Sequence, residues 1–152
     1  MNTDPRSAMV TRTLAARAAS VLLALAAGLG LASCQGDPIA IIGPSNSPAL
    51  YLQPDTLHYY AQDLENIHQT LKWYWVNNGT GAQIVHNSLV PHGTTYLKLT
   101  DSNGLVVYDL NIQLIFAETQ VTSPAGAPGT WTVELIMSGT TGKLDFSIAS
   151  TP

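Results

Sequence analysis

Four histidines, His58, His68, His86 and His92, are the residues of this chain best suited to metal chemistry. A zinc site needs three or four convergent donors, commonly with a close pair on one strand or helix. His86 and His92 are separated by Pro91 and converge only if that turn folds back, while His58 and His68 belong to other segments. Asp101, Asn103 and Asp109 supply oxygen donors near one turn, but there is no Asp-x-Asp-x-Asp-Gly calcium loop. Turn chemistry alone accounts for Asp101 and Asn103. Nucleophilic catalysis lacks a Gly-x-Ser-x-Gly elbow. The carboxylates available for paired acid–base work are Asp63, Glu65, Glu118 and Glu134, and nothing in the sequence places any two of them in a cleft. No catalytic residue and no metal ligand is assigned, no cofactor is implied, and the chain is expected not to be an enzyme.

Aromatic residues are the better lead. Tyr51, Tyr59, Tyr60, Trp73, Tyr74, Trp75, Tyr96, Tyr108 and Trp131 are concentrated after residue 50. Trp73 and Trp75 alternate with polar residues and share a face with Leu71, as Trp131 does with Val133, which assigns them to a core. Tyr74 and Tyr96 point the other way. They are the candidate ligand-binding residues, flat rings on which the C–H faces of sugars can stack.

What must position them is a set of strands. The apolar period is two over 68–76, 82–90, 94–100, 105–110, 112–119, 130–137 and 143–149. Trp131, Val133, Leu135 and Met137 oppose Thr132, Glu134 and Ile136; Leu144, Phe146 and Ile148 oppose Lys143, Asp145 and Ser147. Asn78-Gly79, Asn103-Gly104 and Thr141-Gly142 sit between these runs, where turns are cheapest. The Pro- and Gly-rich stretch 123–129 reads as a longer connection. Only 61–68, through Leu64 and Ile67, suits a helical turn. Short strands with frequent turns predict an all-β fold, a single antiparallel sandwich.

Upstream, Pro38, Pro44, Pro48 and Pro54 break any helix and favour an extended path, a tether from residue 34 to 55. The alternative is that Ile39 to Ile42 or Ala49 to Leu52 pack as an edge strand. Before the tether, Arg6, Arg12 and Arg17 precede an apolar run over 21–33. That is the order of an export signal, and at about 13 residues the run is shorter than the roughly 20 needed to span a bilayer.

Two resemblances follow from these residues. Leu31-Ala32-Ser33-Cys34 resembles the lipobox of bacterial lipoproteins. The resemblance implies cleavage before Cys34, a diacylglyceryl group on its sulfur, and attachment to a membrane of the cell envelope through two or three acyl chains. Gln35 in place of Asp resembles the Gram-negative pattern sorted to the outer membrane. The runs 129–135 and 142–148 resemble the closing hairpin of jelly-roll domains, including bacterial prepeptidase C-terminal domains and the P-domains of subtilisin-like convertases. The run 97–108 is similar to their strand–turn–strand. This second resemblance covers roughly 67–150 and implies a noncatalytic jelly-roll-like architecture.

The expected organisation is a signal peptide over 1–33, lipidated Cys34 and tether over 34–55, and a sandwich over 56–152. Without the leader, three lysines face nine carboxylates and no arginine remains, a net charge of −6. Nucleic acid is thereby excluded as a partner. The leading expectation is a noncatalytic, lipid-anchored envelope lipoprotein acting as an interaction or structural module, with an envelope protein or glycan as the candidate partner. The alternatives are a carbohydrate-binding module using exposed aromatics and a metal-binding envelope protein. Mass spectrometry of the natural protein should find an acylated N-terminal Cys34, and Cys34→Ala should move the protein out of the membrane fraction. An unmodified cysteine in the natural protein contradicts the lipobox reading.

Overall fold

The computed structural model describes residues 40–112 and 119–152, within the compact unit Asp37–Pro152. The leader, the lipobox with Cys34, the start of the tether and most of the run 112–119 lie outside the described residues. Apart from a 3-10 turn at Pro44–Asn46, the described elements are strands: β1 (Ala49–Gln53), β2 (Thr56–Asn77), β3 (Gly81–His86), β4 (Leu89–Thr100), β5 (Val106–Asn111), β6 (Thr119–Thr122) and β7 (Gly129–Thr151). All strand pairings are antiparallel.

Two long strands organise the rest. β2 and β7 pair from Thr56↔Ala149 to Asn77↔Gly129. The end of β7 is flanked by β3, with β6 beyond it, and the start of β2 by β1. The beginning of β7 is flanked by β4, with β5 outside. One sheet is therefore β1–β2–β7–β3–β6 and the other β2–β7–β4–β5, with the long pair common to both. Between the two halves the β2–β7 register shifts three times, at Ala61/Leu64, Leu64/Ile67 and Ile67/Gln69. Bulges of this kind bend and twist a strand. Asp63 and Asn66 take φ of 51° and 49° there, and Gly139 and Gly142 on β7 take 64° and 128°.

The bend brings the two inner faces together as an antiparallel sandwich. Tyr59 and Trp73 lie on the same strand, yet their rings meet at 5.0 Å across the core. Leu57, Ala61, Ile84, Leu144, Phe146 and Ile148 face inward from one sheet; Trp75, Leu97, Leu99, Trp131, Val133 and Leu135 do so from the other. Trp75 and Trp131 are fully buried and meet edge to face at 5.8 Å.

Several expectations are corrected. The stretch 61–68 is not a helical turn but the bend in β2. Each bulge adds a residue, so Ala61, Leu64 and Ile67 recur in the core at every third position, which imitates a helical period. Thr141-Gly142 does not close a hairpin: 130–137 and 143–149 are one strand, so the jelly-roll closing hairpin is absent. Gly142 serves instead where β7 passes β4, and a Cβ on it would overlap the Leu89 carbonyl oxygen. The run 82–90 divides at Asn87-Ser88, where the chain leaves one sheet for the other; the Ser88 hydroxyl donates to the Asp145 carbonyl (3.1 Å) and accepts from the Asp145 N–H (2.9 Å).

The described part of the expected tether belongs to the sandwich. β1 is an edge strand on β2, as the alternative had it, with Pro48 and Pro54 just outside its ends. Ahead of it, Ala40 bridges Ile67, and the Asn46 side chain donates to the Gln62 and Asp63 carbonyls at 3.3 and 2.8 Å.

One polar contact crosses the core. His86 of β3 is fully buried, with Nε2 2.7 Å from the Tyr108 hydroxyl of β5. Nδ1 has no partner among the described residues. Burial lowers the His86 pKa to about 4 and raises those of Tyr108 and Tyr59 to about 12.

Trp131→Ala removes a filled core volume and the Nε1 bond to the Ala127 carbonyl (2.7 Å). It should cost about 3–5 kcal/mol in urea unfolding; below about 1 kcal/mol, the strand faces are misassigned. His86 gives a pH signature. The unfolded chain binds its proton near the ordinary imidazole value of 6.5 and the native chain only near 4. Stability is thus complete above the first value and falls between the two, by at most about 3 kcal/mol. Unfolding at pH 7 and pH 4 should show a smaller loss in His86→Gln than in the natural protein; equal losses contradict the buried neutral imidazole.

Candidate functional site

The regular half of the β2–β7 pair keeps a strict period of two, so alternate side chains stand outward in rows across β2, β7 and β4. The central row is Lys72, Glu134 and Lys98, continued by Asp109 of β5. Lys72 Nζ lies 3.0 Å from Glu134 Oε1 and Lys98 Nζ 3.3 Å from Oε2. The hydrogen bond from Lys72 holds the Glu134 carboxyl below its ordinary range against the opposing effect of burial, with Lys98 adding to it. The same contact raises Lys72. Both lysines thus engage one carboxylate, and Asp109 beside Lys98 brings the row to two cations and two anions.

Tyr74 and Tyr96 flank that row. Tyr74 pairs with Thr132 and Tyr96 with Ile136, so they occupy rows on opposite sides of Glu134. Strand geometry sets them about 14 Å apart along the strands and about 10 Å across them, roughly 17 Å on the diagonal. Tyr74 is 66% exposed and Tyr96 41%. The outward orientation read from their alternation is what the structure has, and both stand on one open face. Ile136 and Val76 are the large apolar side chains exposed beside them.

The histidines do not converge. His58 lies on the outer face of the other sheet, 3.0 Å from Asp145. His68 is 3.1 Å from the Asn66 side-chain oxygen, His86 is in the core, and His92 is exposed on β4. Asp101 organises the β4–β5 turn: its carboxylate accepts N–H bonds from Ala127 (2.7 Å), Leu105 (2.8 Å) and Asn103 (2.9 Å). These bonds, Ala127 foremost, hold its carboxyl below the usual range although burial opposes them. Asp109 stands instead on the outer face beside Lys98. Among the described residues no three of His, Cys, Asp and Glu are grouped to hold a metal ion.

A concave site exists that the sequence did not announce. Where β2 and β7 bend, a cleft of about 700 Å³ opens between the bend, β4 and the segment before β1, lined by Ile41, Asp63, Glu65, Asn66, Ile67 and His92 among others. Asp63 and Glu65 were candidate carboxylates with nothing to seat them, and the bulges seat both here. The available signal was the concentration of conformationally permissive residues, Asp63 and Asn66 on β2, Gly93 on β4, Gly139 and Gly142 on β7.

Compared with known proteins, the sequence matches no family model and no curated protein. Slight likeness to solved structures is found. One is CsCBM6-3 from Clostridium stercorarium in complex with cellobiose: 16% identity, TM-score 0.43, covering 76% of this chain and 89% of that one. Another is a glycoside hydrolase family 43 arabinoxylan arabinofuranohydrolase from Bacillus subtilis in complex with cellotetraose. It is 14% identical with a TM-score of 0.37, over 64% of this chain and 22% of that one. A CBM4 structure shares 7% identity and a TM-score of 0.38, over 70% and 79%. Likeness this slight carries neither fold nor function, which rest on the strand pairing and the surfaces described above.

Proposed function

We propose that this chain is a noncatalytic, lipid-anchored module of the cell envelope that binds neutral polysaccharide on the outer face of β2, β7 and β4. The observation that carries this reading is the exposure of Tyr74 and Tyr96 on one face, astride a row of two lysines and two carboxylates, Lys72, Glu134, Lys98 and Asp109. Each ring offers an apolar plane with a polar edge, suited to the C–H face of a sugar while its hydroxyls bond nearby. Glu134 and the two lysines supply acceptors and donors between the rings.

Charge narrows the ligand class. Of the three lysines outside the leader, Lys72 and Lys98 engage Glu134 and Lys143 lies 3.5 Å from Asp145. Among the described residues, each lysine of this face lies against a carboxylate, which disfavours an anionic polymer. Anchoring through acylated Cys34, as the lipobox resemblance implies, confines the module to the membrane plane. A weak site then gains from high local concentration when many copies meet one long chain.

In affinity electrophoresis through gels containing neutral polysaccharides, the natural protein should be retarded by at least one. Tyr74→Ala/Tyr96→Ala should lose at least about tenfold in apparent affinity. Its unfolding free energy should shift by less than about 1 kcal/mol, because both side chains are on the surface. Undiminished retardation of the double variant, or free migration of the natural protein in every gel, contradicts the reading.

A further inference from the structure

The cleft at the bend is built from four separate parts of the chain: the segment before β1, β2, β4 and β7. The side chains of Asp63, Glu65, His92 and Ser45 line it, and none has a hydrogen-bond partner among the described residues. Asn46 beside them is committed: its side chain fastens the 3-10 turn to β2 and accepts the Gly43 N–H at 2.9 Å. Ile41, 66% exposed, and Ile67 supply an apolar wall. Behind them β4 and β7 approach so closely that a Cβ on Gly93 would overlap the Gly139 carbonyl.

We infer that this cleft is a second saccharide site, which takes one or two neutral sugar rings, free or at the end of a chain. The inference rests on the polysaccharide reading for the choice of sugar, but on different residues. Two facts select the ligand. First, the carboxylates and the imidazole line one cavity, yet no three such groups are close enough to share an ion. A ligand that engages these exposed groups together would be larger than a cation and carry several polar groups. Second, two unpaired carboxylates disfavour anions and accept hydrogen bonds from hydroxyls. A sugar ring presents hydroxyls around its edge and a C–H face to Ile41. The volume of about 700 Å³ falls in the range that encloses small organic ligands, whereas the tyrosine face is open and suits a chain interior.

The probes are cellobiose, xylobiose, laminaribiose and chitobiose, titrated calorimetrically into the purified protein. At least one should bind saturably. Asp63→Asn/Glu65→Gln should weaken it at least tenfold, with His92→Ala as a second, independent loss. Asn tolerates the left-handed backbone at 63, and an unchanged thermal midpoint verifies the fold. Tyr74→Ala/Tyr96→Ala should leave disaccharide binding intact while losing retardation by polysaccharide. If no disaccharide binds, or if binding survives the carboxylate change and is lost with the tyrosines, the cleft is not a saccharide site. Loss of the polysaccharide reading looks different: no retardation of the natural protein, whatever the disaccharides do.

Discussion

The β2–β7 ladder is the constraint on which the molecule depends. Each of the two strands is too long for one sheet of this size, and their pairing persists while both change sheets. Were the ladder straight, Tyr59 and Trp73 would lie far apart along β2 and two apolar faces would remain in water. The bulges between Ala61 and Gln69 let the pair turn without surrendering its partners, and the inner faces then meet. β1, β3 and β4 all pair with one of these two strands, so the bend determines where every other element stands.

The candidate surfaces are consequences of regular and irregular stretches of the same ladder. Where the period of two is unbroken, from Gln69 to Asn77 against Gly129 to Met137, side chains line up in rows and an open face results. Where it is broken, strands part and a cleft forms. The Lys72–Glu134–Lys98 row adds little stability, since ion pairs this exposed are each worth about 0–1 kcal/mol. Its physical effect is to fix three polar heads between two rings and to tie both lysines to a carboxylate. The core follows the opposite logic: His86 crosses it neutral, and its pKa near 4 reflects the cost of charging an imidazole there.

Much of this was legible from alternation. Trp131 to Met137 and Leu144 to Ile148 read as half-buried strands because burial on one face imposes the period directly. The same logic set Tyr74 opposite Trp73 and Trp75, and Tyr96 opposite Leu97. Illegible features arise where a local signal has two physical causes. Turn-forming Thr141-Gly142 serves a bulge, and the helix-like spacing of Ala61, Leu64 and Ile67 comes from inserted residues. Pro48 and Pro54, read as part of a tether, instead flank β1, an edge strand that needs only one partner. The cleft could not be read locally at all, because Ile41, Asp63, Glu65 and His92 are neighbours only after the ladder bends.

The central claim is that saccharide lies on the outer face of β2, β7 and β4. The most direct measurement is an amide NMR titration of isotope-labelled protein with a soluble fragment of whichever neutral polysaccharide retards it. The account predicts that the largest shifts map to residues 72–76, 94–100 and 130–136, on both sides of Glu134. Shifts confined to the opposite sheet, or spectra that stay unchanged to saturating saccharide, would contradict it.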